Sequence, residues 1–444
     1  MQFDEALSYL LSLGHETLTI KLGLRNTEIL LAALGNPQQA FSSIQIAGTN
    51  GKGSTAAVLE SILRRAGTGV GLYTSPHLIS ITERITIGGN EISRADFASI
   101  ATEVRGASET IVKRKEIETL PTFFEQVTAI ALLAFRQAEI ELAILETGLG
   151  GRLDATTCAL AHTVAITPVA LDHEEYLGHT IEEIASEKAA IIRPGVAAVI
   201  SQQLPPVRDV ILRQCELKNV IPCFDENETM IETVSPDGRF CVTFKTPGDK
   251  YEGVWLGLRG RHQITNVSLA IAIAESLRKR GSEIPKEAII EGIKNAKHPG
   301  RLELLDGAPS ILLDGAHNPA GAKALRDYLD EFSRRPLTLV FGAMRDKKLE
   351  QMADLLFTVA DQIVLWEVEN PRAASLEVLQ GLTRGRMDPL RIATARSAIE
   401  AIQVARERTP PSGMICFTGS LYLIGAARAA LLAMETVAKS ETGR

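Results

Sequence analysis

Gly48, Gly51, Lys52, Gly53 and Ser54 fall within one short stretch, Ile46-Ala-Gly-Thr-Asn50-Gly-Lys-Gly-Ser-Thr55, whose residue types are those that hold phosphate. The glycines let backbone N–H groups approach phosphate oxygens, Lys52 adds a point charge for the outer phosphates, and the Ser54 hydroxyl can reach phosphate or Mg²⁺. The run from Phe41 to Ala47 reads as a buried strand, and Thr55 to Ala66 has helical apolar spacing, so the glycines sit at a strand-to-helix turn. A positive helix end there favours an anion, and the set implies a nucleoside triphosphate. Only two residues separate Gly48 from Gly51, where the usual phosphate loop has four before Gly-Lys. The bland reading is a glycine-rich turn with no ligand, and Lys and Ser at these offsets argue against it.

Other polar clusters follow apolar strands, and open parallel sheets bind ligands at strand carboxyl ends. In Tyr73-Thr-Ser75-Pro-His77, Pro76 stops regular structure and leaves the Ser75 hydroxyl to face a crevice or to cap a turn. The strand ending at Glu146 runs into Thr-Gly-Leu-Gly-Gly-Arg152-Leu-Asp154, and a buried carboxylate there needs a partner, either magnesium or a salt bridge. Asp172-His173 follows another apolar run, although His173 taken alone reads as a surface histidine. Lys188 lies inside an apolar helix, where an ammonium is expensive. A buried lysine can lose its proton and add CO₂ to become an anionic carbamate ligand, and the plain alternative is an ion pair with Glu187 or Glu183. Farther on, Asp314 and His317 follow a strand. Arg301 could reach a phosphate across a cleft or form an interdomain salt bridge.

The elements that must position these residues alternate. Strand-like runs at Ile44–Ala47, Gly69–Tyr73, Leu142–Glu146, Thr163–Thr167 and Ala197–Ile200 interleave with helical patterns, which predicts a mostly parallel α/β sheet. Between Thr229 and Leu258, alternating runs broken by Pro-Asp-Gly and Pro-Gly-Asp predict a small antiparallel insert. Lys297-His-Pro-Gly300 reads as a linker, giving domains at 1–297 and 298–444. The second repeats the βα alternation at Ile311–Leu313, Ala320–Phe332, Thr338–Phe341, Gln362–Trp366 and Met414–Phe417.

With 444 residues the chain exceeds a single core. A net charge of −7 gives it no basic face for nucleic acid. Its five scattered cysteines form no Cys-x-x-Cys pair, and no apolar run approaches the roughly 20 residues of a membrane span. The acidic N-terminus Met1-Gln-Phe-Asp-Glu lacks signal-peptide features, so the expectation is a cytoplasmic protein without membrane or nucleic-acid partners.

Taken in order, Ala-Gly-Thr-Asn-Gly-Lys-Gly-Ser-Thr, Thr-Ser-Pro-His-Leu with Glu83-Arg84-Ile85, Thr122-Phe-Phe-Glu125, Glu-Thr-Gly-Leu-Gly-Gly-Arg-Leu-Asp, Leu-Asp-His, Glu-Lys-Ala, Pro-Gly-Arg-Leu-Glu and Asp-Gly-Ala-His-Asn-Pro resemble the motifs of one family. It is the folylpolyglutamate synthase and dihydrofolate synthase family of the Mur ligase superfamily. Asn370-Pro-Arg-Ala and Thr418-Gly-Ser-Leu-Tyr fit as well, while the family often reads Asn where Thr157 stands and Gly where Ala190 stands. The resemblance implies a P-loop-type ATPase domain followed by a Rossmann-like domain. It also implies ATP-dependent amide formation between a pterin-bearing carboxylate and the amine of L-glutamate, through an acyl phosphate.

By the same resemblance, Gly48, Asn50, Gly51, Lys52, Gly53, Ser54, Asn266, Arg301 and Asp314 would contact ATP. Ser54, Ser75, Glu146 and His173 would hold magnesium, with a carboxylated Lys188 serving a second ion. His317 would lie near the reacting phosphate. Thr122, Phe123, Phe124, Leu153, Asp154 and Ala155 would contact the pterin side. Lys52, Glu146, His173, Lys188 and His317 form the implied catalytic set, in a monomer. Leu18-Thr-Ile-Lys21-Leu-Gly-Leu and the Arg152-Leu-Asp154 loop resemble bifunctional bacterial members, which use dihydropteroate as well as reduced folates. A folylpolyglutamate synthase alone is the near alternative. A cell-wall Mur ligase is more distant, since those carry an extra N-terminal domain and only about 40 residues precede the phosphate loop here. A nucleotide-binding regulator would leave Glu146, His173 and Lys188 without a reason to co-occur. ATP and folate are expected to draw the two domains together.

Overall fold

The computed structural model describes residues 1–14 and 23–442, with side chains described to residue 436. Most of the N-terminal segment read as a bifunctional feature, Leu18 to Leu22, therefore lies outside the described residues. The chain forms two compact units. The first comprises Met1–Met230, Thr243–Val254 and Thr265–Ala296, and the second Ile231–Val242, Trp255–Ile264 and Lys297–Arg444. Two pieces of the hairpin insert, 231–242 and 255–264, thus group with the second unit, which the sequence reading began only at 298.

The first unit is built on an eight-stranded sheet. Its strands are β1 (Ser42–Ala47), β2 (Val70–Tyr73), β3 (Ile85–Ile87), β4 (Asn90–Glu91), β5 (Leu142–Glu146), β6 (Thr163–Ile166), β7 (Ala197–Ile200) and β8 (Cys223–Phe224), in the order β4-β3-β2-β5-β1-β6-β7-β8. From β2 to β8 the strands run parallel, and β3 and β4 add an antiparallel edge. Central parallel strands are covered on both faces, so they read as apolar runs, and Ile44, Ile46, Ile144, Val164 and Ile166 are fully buried. Two apolar clusters flank them. One draws Phe97, Ile130 and Phe135 from helices 94–113 and 123–137, and the other draws Ile184 and Ile211 from helices 181–189 and 205–217. The two-residue β4 and β8 are too short to leave a periodic signal.

Next come β9 (Glu228–Val234), β10 (Phe240–Lys245) and β11 (Lys250–Trp255), a three-stranded sheet in the order β11-β10-β9. Its consecutive strands are joined by tight turns at the predicted Pro-Asp-Gly and Pro-Gly-Asp sites, which only antiparallel pairing allows.

The second unit holds a six-stranded sheet of β12 (Glu303–Leu305), β13 (Ser310–Leu313), β14 (Leu337–Phe341), β15 (Gln362–Trp366), β16 (Ile392–Ala395) and β17 (Met414–Thr418). The order is β12-β13-β17-β14-β15-β16, and only β12 runs antiparallel. Helix Pro319–Phe332 follows β13, with Asn318 capping its first turn through Gly321 N at 2.8 Å. Among the described residues no helix is long and apolar enough to cross a membrane.

Candidate active site

Four strand carboxyl ends, those of β2, β5, β1 and β6, lie side by side in the first sheet, and each carries one of the polar clusters. After β1 the chain turns through Gly48 (φ +143°) and Gly51 (φ +89°), and helix Lys52–Arg65 begins at Lys52 rather than at Thr55. Lys52 and Ser54 therefore stand in the first helical turn, where backbone amides point outward and the helix dipole favours an anion. Glycine is required at both bends. A Cβ on Gly48 would lie 1.8 Å from Thr167 Oγ1, and one on Gly51 would lie 2.1 Å from Asn266 Oδ1. The second distance also shows that Asn266, on helix His262–Lys279, packs directly on the loop.

The loop is pinned to the segment after β6. Thr49 N and Asn50 N donate to Pro168 O at 3.1 and 3.3 Å, and Thr49 Oγ1 both donates to Ala170 O and accepts from Ala170 N at 3.0 Å. That segment runs into Asp172 and His173. His173 takes φ +50° ahead of the short helix Glu174–Leu177 and is half-buried rather than a free surface histidine.

Lys188 is buried, and its Nζ donates to Gly48 O at 2.8 Å. Lys52 Nζ approaches the same carbonyl at 3.3 Å, and Thr49 O at 3.3 Å. Two lysine amines thus share one acceptor at the phosphate loop. Burial, reinforced by the Lys52 charge, pushes Lys188 down to about 7, against the opposing pull of Asp172, Asp154 and Glu187. The ion pairs offered by the sequence are otherwise engaged. Glu187 pairs with Arg152 at 2.9 Å, and Glu183 accepts from the amides of His179 and Thr180 at its own helix start.

At the end of β5, Glu146 is buried, and its Oε2 accepts the Ser75 amide at 3.3 Å, which joins the β2 and β5 clusters. Among the described residues no group of three His, Cys, Asp or Glu side chains forms a metal cage. The chemistry of this end of the sheet still suits magnesium, which is commonly held through one or two carboxylates with water and phosphate oxygens completing its shell: Glu146 is a buried carboxylate beside Ser75. A neutral amine at Lys188, beside the Lys52 cation, likewise fits carboxylation to an anion.

One of the expected pterin-side residues, Phe123, packs on a buried guanidinium, Arg84, that the sequence left without a role. Arg84 lies 5.4 Å from the Phe123 ring centre, and its Nε donates to His77 Nδ1 at 2.8 Å. Phe124 lies 6.2 Å from Tyr73 and lids Gly148, where a Cβ would come within 2.5 Å of the ring. Thr122 caps the helix that carries both phenylalanines. Asp154 is different. Its carboxylate accepts from Gly148 N and Leu149 N at 2.9 Å each and from Thr156 N at 3.0 Å, so it is committed to its own loop, between Leu153 and Ala155. Burial pushes it above the usual carboxylate range against those bonds.

Arg301, Asp314 and His317 belong to the second unit and meet there. Asp314 follows β13 and accepts Leu302 N at 2.9 Å and Ala316 N at 3.0 Å, and burial pushes its pKa above the usual carboxylate range against the opposing pull of Arg301. Arg301 Nη1 donates to Gly315 O at 3.2 Å, and His317 Nδ1, as donor, reaches the same carbonyl at 2.8 Å. Burial and the Arg301 charge hold His262 at about 4 and His298 at about 3, so two neutral imidazoles surround this guanidinium at neutral pH.

Residues 46–274 match the model of the Mur ligase middle domain, and 300–421 that of the Mur ligase glutamate ligase domain. The chain is 34% identical over 414 residues to the dihydrofolate synthase/folylpolyglutamate synthase of Bacillus subtilis, covering 91% of this chain and 94% of that protein. It is also 34% identical over 433 residues to a probable bifunctional folylpolyglutamate synthase/dihydropteroate synthase of Haloferax volcanii, covering 96% of this chain. It spans about half the length of that relative, 50%. Among solved structures, folylpolyglutamate synthase of Mycobacterium tuberculosis complexed with ADP and AMPPCP superposes with a TM-score of 0.88 at 33% identity, over 97% of this chain and 99% of that one. Escherichia coli FolC in complex with DHPP and ADP gives 0.86 at 30%, over 98% and 99%.

Proposed function

Because the chain belongs to the folylpolyglutamate synthase and dihydrofolate synthase family of Mur ligases, we propose that it joins L-glutamate to a pterin-bearing carboxylate at the expense of ATP, with dihydropteroate and reduced folates as acceptors. The observation that carries this reading is the phosphate loop: its Gly48 carbonyl gathers Lys52 and Lys188, and Asn266 packs on Gly51.

A carboxylate is a poor acylating agent. Its oxygen attacks the γ-phosphorus of ATP, the bond to the bridging oxygen breaks, and ADP leaves. The acyl phosphate then accepts the glutamate amine at its carbonyl carbon, phosphate departs, and the amine loses a proton as the amide forms. In such transfers a protein mainly positions reactants and neutralises charge. The amides of the loop and Lys52 serve the phosphates, and Asn266, Arg301 and Asp314 serve the rest of the nucleotide. Magnesium, when bound by Ser54, Ser75, Glu146 and His173, supplies positive charge to the phosphate oxygens. A carboxylated Lys188 would add an anion that balances Lys52 and could hold a second cation, and we assign His317 a role toward the reacting phosphate. Phe124, half-buried beside Tyr73 and Gly148, offers the pterin a flat aromatic face. Free thiols at all five cysteines suit a reducing compartment, and we assign the activity to the cytoplasm.

The test is ADP formation with Mg·ATP and L-glutamate, comparing dihydropteroate, tetrahydrofolate and no acceptor, with mass spectrometry of the products. Turnover with both acceptors and a gain of one glutamyl unit is expected. Extension of tetrahydrofolate alone would reduce the assignment to a folylpolyglutamate synthase, and no turnover with either would refute it.

A further inference from the structure

Gln45 is a lone amide in the apolar strand β1, fully buried, three residues before the phosphate loop begins. A buried amide must be matched by partners or it destabilises the strand that contains it. Its Nε2 lies 3.0 Å from Thr156 Oγ1 and 2.8 Å from Thr157 Oγ1, and its Oε1 is buried with no hydrogen-bond partner. Which end of the amide faces the threonines follows from the rest of the network. Thr156 Oγ1 donates to Asp154 Oδ1 at 2.5 Å, and Thr157 Oγ1 donates to Gly151 O at 2.7 Å. Each hydroxyl has one proton, already used, and can only accept from Gln45. The amide NH₂ therefore sets the direction of both chains of hydrogen bonds.

Those chains end on the backbone of the glycine-rich loop. Asp154 holds the amides of Gly148 and Leu149, the residues that follow Glu146 and Thr147. At Gly151 the loop presses on the helix that carries Lys188, where a Cβ would lie 3.0 Å from Glu187 O and 3.1 Å from Lys188 O. Arg193 closes the far side, donating to Thr157 O at 3.1 Å and to Ala161 O at 2.8 Å.

We propose that Gln45 is a positioning residue that locks the Gly148–Asp154 loop to the strand of the phosphate loop, so that the acceptor side of the site keeps its register against the nucleotide side. Gln45 is fully buried and acts through the two threonines. For the identity of the substrate that loses affinity, the inference rests on the ligase reading above.

Gln45→Met keeps the shape and removes the donor, Gln45→Glu offers only acceptors, and Thr157→Val removes one of the two accepted bonds should both Gln45 variants fail to fold. Hydrogen–deuterium exchange of the ligand-free variants is expected to quicken about tenfold across 148–157, the loss of roughly one net hydrogen bond, with 49–55 at the wild-type rate. In turnover, KM for the pterin carboxylate should rise about tenfold while KM for ATP stays within about twofold. Unchanged exchange in 148–157, equal quickening in both segments, or an equal rise in both KM values would overturn the proposal. Exchange requires no turnover, so a wild-type protein that added no glutamate would refute the ligase reading while exchange alone still decided the role of Gln45.

Discussion

Replacing Lys188 by methionine should stabilise the ligand-free protein near neutral pH while destroying its activity. The amine falls from an ordinary value of 10.5 to about 7. At 1.36 kcal/mol per unit, a shift of roughly 3.5 units corresponds to about 5 kcal/mol held against folding when the group must be charged. The sign is fixed by which state holds the proton. Between pH 7 and 10.5 the unfolded chain keeps a proton that the folded protein has released, so stability rises with pH by up to about 1.4 kcal/mol per unit. Below pH 7 both states are protonated and the penalty is constant, and above 10.5 it vanishes. At pH 7 the penalty is about 4 kcal/mol, and the bond from Lys188 Nζ to Gly48 O returns about 1. Lys188→Met should therefore gain about 3 kcal/mol at pH 7, with the gain shrinking to nothing by about pH 10. Urea unfolding of both proteins from pH 6.5 to 10, without nucleotide, metal or added bicarbonate, measures the difference directly, and other titrating groups cancel between the two curves. Parallel curves would mean that the lysine keeps its proton across this range, and the case for a neutral, carboxylatable amine would collapse. With ¹³C-bicarbonate, wild type should show a carbamate carbon signal that the variant lacks.

Three further outcomes are expected. Gly48→Ala brings a Cβ to 1.8 Å from Thr167 Oγ1 at φ +143°, so it should weaken ATP binding at least about tenfold in calorimetry, the equivalent of at least 1.4 kcal/mol. Wild-type affinity in that variant would show that the loop bends by another route. Tyr251→Phe removes the donor 2.9 Å from the buried Glu275 carboxylate, which also accepts from Thr246 Oγ1 at 2.7 Å. It should cost about 1–2 kcal/mol in urea unfolding, and an unchanged midpoint would exclude this network from the stability of the first unit. Arg301→Ala should raise KM for ATP by about tenfold or more, and Arg301→Lys should recover only part of it, because a point charge does not reproduce a planar fork. Full recovery by lysine would show that charge alone matters there.

Residues close in sequence could be read without a structure. Gly48 to Ser54 form one turn between a strand and a helix, and local physics dictates that such a turn offers amides to an anion. Thr122 and Glu125, read only as part of a family motif, form a capping box at a helix start in the structure. The strand runs were legible because parallel strands buried on both faces must be apolar throughout. Edge strands were not, since Asn90–Glu91 and Cys223–Phe224 are too short for any period to register. Lys188 shows where sequence stops. Its helical setting made burial evident and left Glu183 or Glu187 as natural partners. Only the folded chain turns Glu187 to Arg152, spends Glu183 on its own helix start, and carries the amine to the carbonyl of Gly48. Arg84 and Gln45 were equally opaque, because their partners, His77 and Phe123 in the first case and Thr156 and Thr157 in the second, are chosen by loop packing and by a strand pairing some hundred residues apart. A turn suited to phosphate and the layered α/β class were legible locally, because both rest on backbone preferences and periodicity within a dozen residues. Tertiary structure decided which side chains become neutral, which are held in register and which are already committed, because desolvation and hydrogen-bond satisfaction depend on neighbours that no local pattern specifies.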